Sequence, residues 1–217
     1  VRYFYTLKDI QNSTKRHEKG VVPARDLRKS NPGLSTIRVG LGWDPIEQGG
    51  GFLKSLFGSG NTDIDCDASV FLLNEDSKPI DLVYFGNLRT KNDSIIHTGD
   101  NLTGEGAGDD EVILVDLDKI PSQVNKLLFV VNIYDCVRRN QHFGMIKNAY
   151  IRMTDAKNNS EIARYNLSDD YRGRTALLVG LIYRYEGTWK FSAIGEGTND
   201  TGLNDMKKNL ERRAYGV

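Results

Sequence analysis

The sequence has few of the residues that catalytic sites and disulfide-stabilised domains use. Its 217 residues include only two cysteines, Cys66 and Cys136, and three histidines, His17, His97 and His142. Two cysteines are too few for a disulfide scaffold, so we expect two reduced thiols and a cytoplasmic protein. The histidines show no metal-ligand spacing, and each is expected in a loop or at the surface.

Other absences exclude further classes of protein. The formal net charge is zero, from 29 basic and 29 acidic residues, which argues against a nucleic-acid-binding protein because phosphate favours an excess of positive charge. No apolar run is long enough to span a bilayer, and no signal peptide is recognisable. The sequence also lacks a Gly-x-Ser-x-Gly elbow, and its acids crowd together instead of facing each other across a cleft. We therefore expect a protein without enzymatic activity.

The pattern of apolar residues predicts many short strands. Alternation and apolar runs predict strands over residues 37–43, 63–73, 81–85, 112–117 and 127–134, hairpins over 149–165 and 175–194, a helical turn over 121–125 and a helix over 203–215. This pattern is typical of an all-β protein, an antiparallel β-sandwich with short helices and a C-terminal helix. We assign residues 1–30 to an N-terminal extension and residues 31–217 to the sandwich domain.

Acidic residues alternate along one predicted strand. Asp63, Asp65 and Asp67 occupy every second position, so their side chains share one face of the strand. Carboxylates about 5 Å apart repel by roughly 3 kcal/mol per pair at an effective dielectric constant of about 20. The segment contains no Lys or Arg. The repulsion therefore calls for a cation, for basic partners from elsewhere in the chain, or for protonation.

A glycine-rich loop over residues 99–111 carries the second acidic cluster, formed by Asp100, Glu105, Asp109, Asp110 and Glu111. Glycine lets such a loop turn its carbonyl groups inward, and hard divalent cations bind carboxylate, amide and carbonyl oxygens. The two acidic segments together predict a divalent cation site. An EF-hand is excluded, because Ala68 and Asn74 stand where its loop needs Gly and Glu.

A second interpretation needs no metal. Residues 1–40 are basic and the middle of the chain is acidic. The acids could therefore pair with the chain's own extension or with a basic partner, and the charges could also serve an interaction with a membrane surface. The insert at residues 45–61 carries Phe52, Leu53, Leu56 and Phe57 on one side of a helical turn. It is expected to pack on the domain edge, or alternatively to form an apolar tip for a partner or membrane.

Several motifs together resemble the TerD family of tellurium-resistance and general stress proteins. The resemblance covers about residues 30–195, and the insert is similar to that of the TerZ-like branch. The motifs are Pro32–Leu34, Gly40–Asp44, Asp63–Ser69, Gly86–Leu88, His97–Glu105, Gly108–Glu111 and Asn148–Arg152. The resemblance implies a C2-like sandwich that binds Ca²⁺ at one end, and a binding or scaffold role in tellurite resistance. It also implies partners among other stress-resistance proteins at the inner membrane surface.

The resemblance also implies which residues hold calcium. From the two acidic motifs these are Asp63, Asp65, Asp67, Asp100, Asn101, Glu105, Asp109, Asp110 and Glu111, with backbone oxygens from Leu102 to Gly104. Asp44 and Asp135 are further candidates because they follow predicted strands. Ala107 stands where many members have an acid, which would remove one outer ligand or weaken a second site.

Overall fold

The protein is a two-layer β-sandwich, which confirms the predicted fold class. The computed structural model describes residues 24–45, 64–99, 108–167 and 171–215. Its helices are short except the last: α1 is Leu27–Ser30, α2 is Cys136–Arg139, a 3₁₀ turn covers Phe143–Met145, and α3 is Leu203–Tyr215. Within the described residues, no helix combines the length and apolar character that crossing a bilayer requires.

Two antiparallel sheets form the layers. The six-stranded sheet has the order β1 (Arg25–Asp26), β11 (Thr188–Thr198), β10 (Ala176–Tyr185), β7 (Lys126–Ile133), β3 (Cys66–Leu73) and β4 (Pro79–Val83). The five-stranded sheet has the order β5 (Ile95–His97), β6 (Glu111–Asp116), β2 (Thr36–Pro45), β8 (Ile146–Asp155) and β9 (Glu161–Asn166). All neighbouring strands pair antiparallel, as the two predicted hairpins require.

The six-stranded sheet is buried on both of its faces near its centre. Its inner face packs against the five-stranded sheet through side chains such as Val70 and Phe129. Its outer face carries a second apolar cluster that includes Leu128 and is covered by Met206 and Leu210 of α3. All eight residues of β3 are therefore buried, so its acidic face lies inside the protein rather than in solvent.

The N-terminal part of the described chain belongs to the sandwich. Arg25 pairs with Phe191 of β11, and the Leu27 side chain is fully buried in the core. Asp26 caps α1 by accepting hydrogen bonds from the backbone nitrogens of Arg28 and Lys29. The predicted extension over residues 1–30 is therefore wrong for residues 24–30, because Leu27 anchors them in the core. Residues 1–23 lie outside the described residues.

Two other local features differ from the predictions. Ile95–His97 is a strand that the sequence analysis did not predict, because three residues are too few for alternation to be recognised. The helical turn predicted at residues 121–125 is a simple turn closed by a hydrogen bond of 3.0 Å from Val124 N to Pro121 O. Apart from Pro45, the insert at residues 45–61 lies outside the described residues, so its predicted apolar tip stays a prediction.

The packing of α3 gives a first testable prediction. Leu210 is 2% exposed, so its truncation in Leu210→Ala should lower the free energy of unfolding by about 2–4 kcal/mol through lost burial and a residual cavity. The control Lys208→Ala changes an exposed residue of the same helix and should stay within about 0.5 kcal/mol. Urea unfolding measures both, and equal effects would contradict the docking of α3.

Candidate metal centre

Trp43, near the end of β2, brings the two acidic segments together. Its indole nitrogen donates a hydrogen bond of 3.0 Å to the carbonyl of Ile64, at the entry of β3. Its backbone nitrogen donates one of 2.9 Å to the Asp110 carboxylate, just before β6. Trp43 is only 2% exposed, and its indole hydrogen bond is buried, whereas its backbone hydrogen bond to Asp110 is partly buried. The segments around Asp65 and Asp110 therefore meet at one end of the sandwich.

Glu111 connects the two sheets at this end. Its carboxylate accepts a hydrogen bond of 2.6 Å from the backbone nitrogen of Ala68 in β3. The pairing of β3 with β4 begins only at Val70, so β4 does not reach Ala68. The same carboxylate lies 3.5 Å from Nε2 of His97 in β5. Glu111 is 1% exposed, so it satisfies a buried amide that no strand reaches.

His97 is buried, so its predicted place in a loop or at the surface is wrong. Its side chain is on the inner face of β5 and the residue is 2% exposed. Its Nδ1 accepts a hydrogen bond of 3.2 Å from the backbone nitrogen of Gly99, and its Nε2 faces the Glu111 carboxylate. The strand is three residues long and gave no signal of this burial in the sequence.

Asp65 and Asp67 are also buried, at 5% and 2% exposure. Asn132 lies directly opposite Asp67 in β7, and its side-chain nitrogen donates a hydrogen bond of 3.1 Å to the Asp67 carboxylate. The side-chain oxygen of Asn132 is buried and has no hydrogen-bond partner within the part of the chain that the structure describes. The sequence analysis missed Asn132, although an amide inside the apolar run of residues 127–133 was a usable signal.

The electrostatics of this end are dominated by negative charge. Burial raises the pKa of the Cys66 thiol well above its usual value, and four carboxylates raise it further: Asp67, Asp65, Glu111 and Asp110. Burial also raises the pKa of Asp110 itself, and the charges of Asp44 and Asp109 add to this. Four of the predicted ligands therefore add negative charge to this end of the sandwich.

Asp109 has a different environment. Its carboxylate is 1% exposed and accepts hydrogen bonds of 3.2 and 3.1 Å from Arg38 and one of 2.7 Å from Arg152. The Tyr150 hydroxyl lies 2.7 Å from the carbonyl of Gly108 and 3.2 Å from the Asp109 carboxylate. Two guanidinium groups thus neutralise Asp109, which anchors the end of the loop on the five-stranded sheet.

The glycines of β2 make this anchor possible. A Cβ atom on Gly40 would lie 2.2 Å from the Cγ atom of Asp109. A Cβ atom on Gly42 would lie 2.6 Å from the Cζ atom of Tyr150. Both distances are shorter than real carbon contacts, so the Gly-Leu-Gly pattern leaves the space that Asp109 and Tyr150 fill.

The two further candidates, Asp44 and Asp135, make local contacts. Asp44 accepts a hydrogen bond of 2.6 Å from the side-chain nitrogen of Asn148. Asp135 forms ion pairs with Arg138 and Arg139 of α2. Asp44 therefore remains near the acidic end as a source of negative charge, whereas Asp135 is neutralised by its own helix.

The remaining predicted ligands lie outside the described residues. They are Asp63, Asp100, Asn101, Leu102, Gly104 and Glu105. Among the residues that the structure does describe, no three His, Cys, Asp or Glu side chains are grouped so that they could hold a metal ion. A complete calcium shell would have to include oxygen atoms from the glycine-rich loop or from Asp63.

The role of Asp109 as an anchor can be tested by substitution. Asp109→Asn should destabilise the protein by about 2–3 kcal/mol, because Arg38 and Arg152 lose a buried counter-charge while remaining partly solvated. The control Asp118→Asn removes an exposed ion pair with Arg28 and should cost less than about 1 kcal/mol. Thermal and urea unfolding measure both, and a neutral Asp109→Asn variant would contradict the anchor.

Comparison with known proteins identifies the family. The TerD domain profile matches residues 22–210. The chain is 58% identical over 184 residues to stress response protein SCP2 of Bacillus subtilis (strain 168), covering 83% of this chain and 92% of the relative. It is 42% identical over 174 residues to tellurium resistance protein TerD of Serratia marcescens, covering 79% and 85%.

A solved structure shares the fold. A homologue of telluride resistance protein (TerD) from Streptomyces coelicolor A3(2) aligns with a TM-score of 0.61 and 21% identity, covering 77% of this chain and 92% of that one. The motifs that build the acidic end, the family profile and the two relatives agree, which confirms the resemblance seen in the sequence. The chain belongs to the TerD family of tellurium-resistance and general stress proteins.

Proposed function

We propose that the protein is a cytoplasmic calcium-binding stress-response protein that acts as a non-catalytic binding module. One observation carries the calcium proposal: hydrogen bonds of Trp43 with Ile64 and Asp110, and of Ala68 with Glu111, bring the two acidic segments together at one end of the sandwich. Buried like charges destabilise each other and are costly to desolvate. A divalent cation bound among them would offset both costs.

The chemistry of the available oxygens suits Ca²⁺. This ion takes six to eight oxygen ligands from carboxylates, amides and backbone carbonyls in flexible geometry. The buried Asn132 oxygen adds an amide ligand beside Asp67. We propose a shell drawn from Asp65, Asp67, Asp110 and Asn132, completed by Asp63 and by the loop residues Asp100, Asn101, Leu102, Gly104 and Glu105. Glu111 contributes at most its second oxygen, because the first accepts from Ala68, and Asp109 is left out.

The biological role rests on the relatives. Two of them are named for stress response and for tellurium resistance. We propose that calcium binding orders the acidic end, which then serves as a surface for other stress-resistance proteins at the inner face of the membrane. The proposed module carries out no chemistry itself.

A specific observation supports a second candidate, a charge-driven interaction module without a metal. Two acids bind arginines of the basic N-terminal part, Asp109 with Arg38 and Asp118 with Arg28. Basic partners therefore neutralise part of the acidic middle of the chain. In this candidate, a basic protein or membrane partner of the remaining acids replaces calcium, and association weakens with salt.

Calcium should stabilise the protein. At a hundredfold excess over Kd, binding to the folded state alone adds about 2.7 kcal/mol to the free energy of unfolding. For a domain of this size that corresponds to a rise of roughly 5–10 °C in Tm relative to chelator. Differential scanning calorimetry measures it, with Mg²⁺ as the control ion. An unchanged Tm in millimolar calcium would rule out the calcium proposal and favour the charge-driven candidate.

Neutralising two of the proposed ligands should separate the electrostatic cost of their charges from their contribution to calcium binding. In chelator, Asp65→Asn with Asp110→Asn should keep or raise Tm, because the raised pKa of Asp110 means that its charge destabilises the folded state at neutral pH. In calcium, the same variant should lose most of the rise in Tm. Glu75→Gln with Asp76→Asn removes two acids from the turn at the opposite end of β3 and should keep the calcium response. A full response in the first variant would show that the ligands are wrong.

A further inference from the structure

A cavity lies between the two sheets. Its volume is about 470 Å³, and its walls come from the inner faces of both sheets: Val39, Phe129, Ile151, Met153, Val179 and Phe191. Protein interiors contain few voids larger than a water molecule. This cavity is about three times the size of an apolar cavity of roughly 150 Å³ that takes up benzene. It is therefore large enough for an organic ligand.

Local irregularities and small residues maintain the space. The pairing of β10 with both of its neighbours shifts register between Leu178 and Gly180, so Val179 forms a bulge. Ala163 of β9 and Ala193 of β11 line the cavity where larger side chains would fill it. Bulges are designed features that bend a strand and re-aim side chains. The cavity therefore results from the backbone geometry and the small side chains of the two sheets.

Three arginines line the cavity, Arg25, Arg152 and Arg164, and Arg152 pairs with Asp109 at 2.7 Å. Arg25 is exposed and lies directly opposite Phe191, so the two side chains share the cavity face of the sheet. Within the described residues, no carboxylate forms an ion pair with Arg25. The lining residue Glu161 already pairs with Arg164, at 3.2 Å. An apolar chamber with one available guanidinium at its entrance matches an amphiphile with one negative charge.

We propose that the cavity binds an aliphatic monocarboxylate, a fatty acid of about ten to fourteen carbons. Its chain lies between Phe129, Val179 and Met153, and its carboxylate accepts two parallel hydrogen bonds from Arg25. A guanidinium and a carboxylate form such a bidentate pair with matching geometry. The site is separate from the proposed calcium site, and its occupancy does not depend on calcium.

The test is a calorimetric titration with dodecanoate below its micelle concentration, in chelator, with dodecanol as the neutral analogue. The wild type should bind one dodecanoate with micromolar Kd. Arg25→Gln should weaken dodecanoate about tenfold and leave dodecanol unchanged, because only the carboxylate uses the guanidinium. Arg138→Gln, an exposed arginine on α2, is the matched control and should bind as the wild type does.

Filling the cavity should block binding. Ala163→Trp should abolish it while Tm stays equal or rises, and Ala193→Leu provides a second filled variant if the first fails to fold. Absence of dodecanoate binding to the wild type would overturn the proposal. Binding that survives in a folded filled variant would show adsorption to the surface and overturn it too. If Arg25→Gln changed the Kd of dodecanoate and of dodecanol equally, the proposed pairing of Arg25 with the carboxylate would be overturned.

Discussion

The structure depends on burying carboxylates at one end of a β-sandwich and on holding them there. Three acids at this end accept a hydrogen bond from a donor in another part of the chain: Asp110 from the Trp43 amide, Glu111 from the Ala68 amide and Asp67 from the Asn132 side chain. Those donors come from both sheets. The acidic end therefore connects the two sheets, and its carboxylates are part of the packed structure rather than solvated surface groups.

Asp109 shows how the protein divides its negative charge. Two guanidinium groups neutralise this residue, and Gly40 gives it the room to lie flat on β2. An anchor of this kind holds the end of the glycine-rich loop on the five-stranded sheet whether or not an ion is present. In contrast, Asp110 next to it has a raised pKa from burial and from neighbouring acids. One residue secures the loop, and the next contributes to an electrostatic cost that a cation can relieve.

The sequence predicted the sandwich well because strong alternation and turn signals are local. The predicted helix over residues 203–215 coincides with α3. The sequence predicted fewer of the contacts between distant segments. The pairing of Arg38 with Asp109 joins residues 71 positions apart, and no local pattern encodes it. The burial of His97 and the core position of Leu27 depend on short elements whose neighbours only the folded chain supplies. The motifs Gly40–Asp44 and Asn148–Arg152 were recognised as a family signature, but their physical role in seating Asp109 required the structure.

The central claim is that the acidic end holds a cation among Asp65, Asp67, Asp110 and the glycine-rich loop. Trp43 touches both acidic segments, so its indole is placed to transfer excitation energy to Tb³⁺ bound in place of Ca²⁺. The most direct measurement is terbium luminescence under tryptophan excitation, followed by calcium titration. The account predicts a signal that calcium displaces, that persists in Trp189→Phe and that disappears in Trp43→Phe. A signal that is absent, or that calcium fails to displace, would contradict it.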